Sequence, residues 1–295
     1  MTTVRAARVS IVVGVLVLAA KLVAWRITGS VALFSDALES IVNVLAASIA
    51  MTALWVAAKP ADRSHPWGHS KAEYFSAVAE GLLVVAASVT IIGEAVRRLL
   101  HPAEAVSLAL GGAVALAATA GNLALGLWLH RQGRKLCSPA LVADGTHVLA
   151  DVFTTVGVLV GIFIARATGW WVLDPLVALA VAVQVVYAGW RIVRGSVGAL
   201  MDETVPAAEL ERITSAVKSA MGPALEFHDL RARRAGPKLF IELHLVVQGQ
   251  TTVERSHEQC DAIERAVRSA IAGAEVVIHV EPETERRPGS VDART

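Results

Sequence analysis

Aromatic residues make up only 5% of the 295-residue chain, so its 55% hydrophobic content is mainly Ala, Val, Leu and Ile. An excess of charge of either sign is missing too. The formal net charge of +1 gives no electrostatic reason to expect a nucleic-acid partner. Cysteine is nearly absent. Cys137 and Cys260 form no CxxC pair, zinc motif or disulfide framework, and read as inert thiols of a reducing compartment. No HExxH occurs, and no nucleophile has a plausible base nearby, so an enzyme is not expected. Low-complexity tracts are also missing.

What the chain does have is long apolar runs, and its mean hydropathy is +0.55. That mix over this length points to a polytopic α-helical membrane protein. Six transmembrane helices are expected near 8–28, 31–58, 73–99, 106–130, 139–166 and 172–194. The first run is long for a signal-peptide core and no small-residue cleavage site follows, so it reads as an uncleaved span. Arg5, Arg8, Lys59, Arg63, Lys71, Arg131, Arg134, Lys135, Arg191 and Arg194 flank one side of the spans. Arg26, Arg97, Arg98 and Arg166 flank the other. The basic excess predicts that both termini are cytoplasmic.

After Gly198 the pattern changes. "VPAAELERITSAVKSAMG" has Leu210, Ile213, Val217 and Met221 at helical spacing, with Pro206 at its start and Gly222 past its end. "LEFHDLRARR" and "KLFIELHLVVQ" read as strands around a turn at Ala235-Gly236-Pro237, followed by an amphipathic helix and the strand "AEVVIHVEPE". The expected organisation is a membrane domain over 1–200, an αββαβ α+β domain over 201–284 and a disordered tail over 285–295.

Within the fifth span, "HVLAD" puts His147 and Asp151 one helical turn apart on one face, with Asp144 a turn earlier. Titratable groups there cost at least a few kcal/mol each. Span two repeats the pattern with Glu39 and Asn43, preceded by Asp36. Two helices presenting two ligands each can close a tetrahedral site whose divalent cation offsets the buried carboxylates. Polar glue between helices is the alternative, but four such residues at matched depth and spacing favour an ion. Two further ligand sets stand out. The loop "ADRSHPWGHSKAE" offers Asp62, His65 and His69. In the last third, His244 shares a strand face with Glu242 and Phe240, and His279 with Glu281 and Val277. With His228 on another strand and His257 on a helix, these can converge on one or two ions.

On these residues the chain resembles the cation diffusion facilitators, and within them the bacterial zinc/iron exporters, over about residues 8–284. "HVLAD" matches half of that family's buried site, and "FHDLRAR", "IELHL", "SHEQCD" and "VIHVEP" resemble its soluble-domain segments. The resemblance implies a homodimer of six-span protomers in the inner membrane, each with a ferredoxin-like cytoplasmic domain. It implies export of a cytoplasmic divalent metal in exchange for protons; a metal-gated channel or membrane metal sensor is the alternative. It places the transport site at Glu39, Asn43, His147 and Asp151, and a loop site at Asp62, His65 and His69. Soluble-domain sites would use His228, His244, His257, His279 and Glu281, with Glu281 able to bridge two ions. Lys71 and Asp202 would form an inter-domain salt bridge. Family members commonly carry Asp or His at the position of Glu39 and Asp at that of Asn43. A neutral amide takes up no proton, and an oxygen-rich site with one imidazole fits Fe(II), Mn(II) or Co(II) better than Zn(II); the alternative is an ion held by three of these residues with Ser40, Asp36 or water, and broad specificity.

Overall fold

The computed structural model describes residues 2–28, 31–100, 111–169, 172–287 and 291–292. Their side chains are described except at 24–25, 27–28, 31–39, 94, 98, 111–115, 154–155, 157–167, 173–174, 178 and 291–292. The chain divides into two compact units, Met1–Val197 and Gly198–Thr295.

The first unit is built from α1 (Thr3–Thr28), α2 (Val31–Ala57), α3 (Ala72–Leu100), α4 (Gly111–Lys135), α5 (Pro139–Thr168) and α6 (Leu173–Leu200). These are the six expected spans; the part of span four before Gly111 lies outside the described residues. Thr3–Val23, Ser40–Ala57, Ala72–Arg97 and Pro175–Leu200 are long and apolar enough to cross a membrane. α4 and α5 interrupt their apolar sequences with Asn122, His130, Asp144, His147 and Asp151.

Burial in this unit is inverted relative to a water-soluble protein. Leu16, Leu45, Leu82, Val89, Phe153 and Tyr187 are exposed, while Lys21, Glu73, Glu80, Asn122, Asp144, His147 and Asp151 are buried. Large apolar side chains facing outward and charged ones facing inward are what a hydrocarbon solvent selects. The unit is a polytopic transmembrane domain.

Its tightest seam joins α4 to α5. A Cβ on Gly145 would stand 2.7 Å from the backbone N of His130 and 3.0 Å from the carbonyl of Gly126, and a Cβ on Gly126 would stand 2.8 Å from Leu149. Without lipid-exclusion forces to drive them together, membrane helices approach through such small residues. α5 begins at Ser138, whose Oγ accepts from Leu141 N at 3.4 Å, with Pro139 as its first residue. The same hydroxyl donates to Glu73 Oε2, tying the start of α5 to α3.

The second unit contains α7 (Ala207–Ala220), β1 (Glu226–Ala235), β2 (Lys238–Val247), α8 (Val253–Ala270), β3 (Ala274–Pro282) and β4 (Val291–Asp292). Sheet order is β3-β2-β1-β4. β1 and β2 form the expected hairpin, turning at Gly236 with φ 58°, where glycine carries no Cβ penalty. β2 and β3 are parallel and α8 crosses between them. Leu239, Ile241, Leu243 and Leu245 of β2 are buried with Ile213 and Val217 of α7 and Ile263 and Val267 of α8. The strand period of two therefore sends Phe240, Glu242 and His244 to the opposite face.

β4 lies within the stretch expected to be a disordered tail. The buried carboxylate of Glu226 draws that stretch back. It accepts from Arg286 Nε and Arg287 N, each at 3.0 Å, and Arg287 Nη1 donates to Asp229 Oδ2 at 2.7 Å. A buried carboxylate needs such donors.

Candidate metal centre

α5 packs on α2, α3 and α4 in the first unit. At their meeting point Asn43 Nδ2 donates to Asp151 Oδ2 at 3.3 Å, and Asn43 Oδ1 is 2.8 Å from His147 Nε2. An ionised carboxylate only accepts, so Asp151 fixes the amide orientation. His147 Nε2 is then the donor, and its Nδ1 has no hydrogen-bond partner. Asp151 Oδ2 also accepts from Asn122 Nδ2 at 2.8 Å. His147, Asp151 and Asn122 are 5%, 6% and 4% exposed, so this is a nearly dry polar cluster. α5 places His147 and Asp151 roughly 12 and 18 Å from its Pro139 end at 1.5 Å per residue.

Of the four residues expected to form the transport site, three are brought together: Asn43, His147 and Asp151. The side chain of Glu39 lies outside the described residues. Asn122 is an addition from α4. Its sequence signal was a lone amide in "TAGNLALGL", an apolar stretch in which a polar side chain is costly. A cation bound at His147 Nε2 would require the Nε2 proton to move to Nδ1 or leave, and would replace Asn43 Nδ2 beside Asp151. Metal and proton therefore compete for one nitrogen.

The loop before α3 gathers Asp62, His65 and His69, with one ligand atom of each within 4.8 Å of the others. Asp62 Oδ1 accepts from Ser64 N at 2.9 Å, Ser64 Oγ at 2.8 Å and His65 N at 2.7 Å. These bonds, the Ser64 hydroxyl first, hold the carboxyl down at about 2. Its other oxygen, Oδ2, lies 3.4 Å from His69 Nε2. The two imidazole centroids are 4.4 Å apart.

In the second unit the strand registers align three histidines. His228 pairs with His244 across β1–β2, and His244 pairs with His279 across β2–β3. Neighbouring ring centroids are 5.4 and 5.0 Å apart. Glu281 reaches all three: 3.1 Å from His228 Nε2, 2.8 Å from His244 Nδ1 and 3.8 Å from His279 Nε2. Asp229 joins His228 and His244 within 4.8 Å. It sits at φ 50° where β1 is bulged between His228 and Arg231. The extra residue breaks strict alternation and lets neighbours in sequence approach one spot, so period-two reasoning missed Asp229.

His257 lines one pocket with Cys260 and with Glu281 of this row. It is exposed on α8, with Nε2 3.9 Å from Asp261 Oδ1. One turn away, Cys260 is buried, and burial together with Glu264 and Asp261 pushes its thiol up, in keeping with an inert thiol. Asp202 accepts from Arg233 Nη1 at 3.0 Å within its own unit.

Comparison with known proteins finds matches to both units. The family described as "Cation efflux transmembrane domain" matches residues 7–201, and "Cation efflux protein, cytoplasmic domain" matches residues 205–283. The "Uncharacterized transporter sll1263" of Synechocystis sp. is 47% identical over 262 residues, covering 89% of this chain and 84% of that protein. The "Cation-efflux pump FieF" of Shewanella oneidensis is 30% identical over 277 residues, covering 94% and 93%. A solved structure of CzrB in its Zn form is 51% identical, covering 30% of this chain and 99% of that chain, with a TM-score of 0.29. With both of its units matched, the chain belongs to the cation efflux family, the cation diffusion facilitators, as a multi-pass membrane protein with a C-terminal cytoplasmic domain.

Proposed function

We propose that the protein exports a divalent transition-metal ion, Fe, Mn, Co or Zn, from the cytoplasm in exchange for protons. Both termini lie in the cytoplasm and the protein works as a homodimer in the inner membrane. The observation that carries this reading is the buried contact of Asn43 with both His147 and Asp151. It brings an imidazole and a carboxylate from α5 to one point on α2, where a metal and a proton compete.

In the state open to the cytoplasm the ion binds His147, Asp151, Glu39 and the Asn43 carbonyl oxygen. In the state open outward, proton uptake by His147 or the carboxylates releases it. Rocking of helices around a midplane site supplies the alternation. The neutral amide and single imidazole favour Fe(II), Mn(II) or Co(II) over Zn(II). The loop set and the histidine row bind regulatory ions, and those of the row draw the two cytoplasmic domains together.

The test is whether a proton gradient alone moves metal uphill in proteoliposomes. Metal accumulation against its own gradient, growing with the pH difference, is expected. Strictly downhill flux that ignores the pH difference means a metal-gated channel instead.

A further inference from the structure

Glu80 on α3 and Asp144 on α5 are 0% and 1% exposed, and neither belongs to the transport-site set. Their helices pack together, and Asp144 is close enough for its charge to act on Glu80. Ser76 Oγ donates to Glu80 Oε1 at 2.7 Å. Glu80 Oε2 and both oxygens of Asp144 are shut off from solvent with no hydrogen-bond partner of good geometry, although the Ser10 hydroxyl of α1 lies close to Asp144. Three fully buried carboxylate oxygens with no donor nearby but the Ser10 hydroxyl are expensive, and two like charges side by side add to the cost. Packing does not explain them, because an apolar pair would fill the same seam at less cost.

A positive charge between the two carboxylates would offset that cost. The available ligand atoms are all oxygen, two carboxylates from facing helices and two hydroxyls, without imidazole or thiolate. Such a set suits a hard divalent cation, whose charge the two carboxylates balance. Asp144 precedes His147 by about one turn of α5, roughly 4.5 Å along its axis.

We propose that Glu80 and Asp144, assisted by Ser76 and Ser10, bind a second divalent cation between α3, α5 and α1, a hard oxygen-preferring ion beside the transport site. The site gives the ion a stop between the Pro139 end of α5 and His147. This role rests on the transport reading above, whereas binding itself does not.

The experiment uses full-length Asp151→Asn protein, so that the transport site is disabled, with Mn(II) as the probe. Equilibrium dialysis is compared with the same protein also carrying Glu80→Gln and Asp144→Asn. The added substitutions should remove one Mn(II) per protomer; an unchanged count overturns the proposal. If the multiple variant does not fold, Mn(II)-soaked crystals of the Asp151→Asn protein decide. An anomalous peak between Glu80 and Asp144 supports the site, and its absence overturns it, as does a pair that holds only a proton. Wild-type and Asp151→Asn proteins that bind Mn(II) identically would count against the transport-site assignment alone.

Discussion

Asn43 has neither charge nor titratable proton, yet its amide lies against both His147 and Asp151. It donates to the carboxylate and accepts from the imidazole. Asn122 also donates to Asp151 Oδ2, which orients that oxygen. Partners that orient ligands are typically worth 10–100-fold in metal affinity. Asn122→Ala should therefore raise the metal concentration for half-maximal flux by about 10-fold or more, measured in proteoliposomes, while the cytoplasmic histidine row still binds metal.

At the loop, Asp62 is held ionised down to about 2 by Ser64 and His65. Its folded value is depressed, so the order these hydrogen bonds give the loop is complete above the ordinary value of 3.8 and is lost only as pH falls through about 2. Across pH 6 to 8 Asp62 is a constant charge. Asp62→Asn should weaken Zn(II) binding at the loop roughly tenfold at pH 8 in calorimetric titrations. Unchanged affinity would contradict the assignment. The His147 and Asp151 pair was legible because helical spacing fixes who faces whom, and the loop triad because three ligand-type side chains fall within eight residues, 62–69. Asn122 was not, because a partner from a third helix leaves no spacing signal, and Asp229 was hidden by the bulge.

Among elements, the α4–α5 seam decides how close Asn122 and Asp151 come. Gly126 and Gly145 let the two backbones touch, and any side chain at Gly145 meets the His130 backbone, which has no rotamer with which to yield. Gly145→Val should cost about 1–3 kcal/mol of stability by overpacking, seen as a lowered midpoint in thermal unfolding of the purified protein, and should slow transport without touching a ligand. The helices themselves were readable from apolar length, and the cytoplasmic strands from their alternation. The backbone seam was less so, since glycines in a long apolar helix carry no sign of which neighbour they approach. Likewise β4 needed the buried Glu226 and its two arginine partners, a long-range polar demand with no local periodicity.

Over the whole molecule, the proposed function gives one purpose, holding cations, to the buried polar groups of the first unit and to the histidine row of the second. The two units carry ligands of different character. The transmembrane set is rich in oxygen with one imidazole, and the cytoplasmic row is rich in imidazole around a shared carboxylate, Glu281. Such a division fits one set through which ions pass and another at which they are sensed.

All of this depends on the cluster around Asp151 being the place through which the ion crosses. The most direct measurement is metal flux in proteoliposomes under an imposed pH gradient, with wild-type and Asp151→Ala proteins reconstituted at equal density and shown to be folded. The account predicts gradient-dependent flux for the wild type and none above protein-free liposomes for the variant. Flux in Asp151→Ala equal to that of the wild type would contradict it.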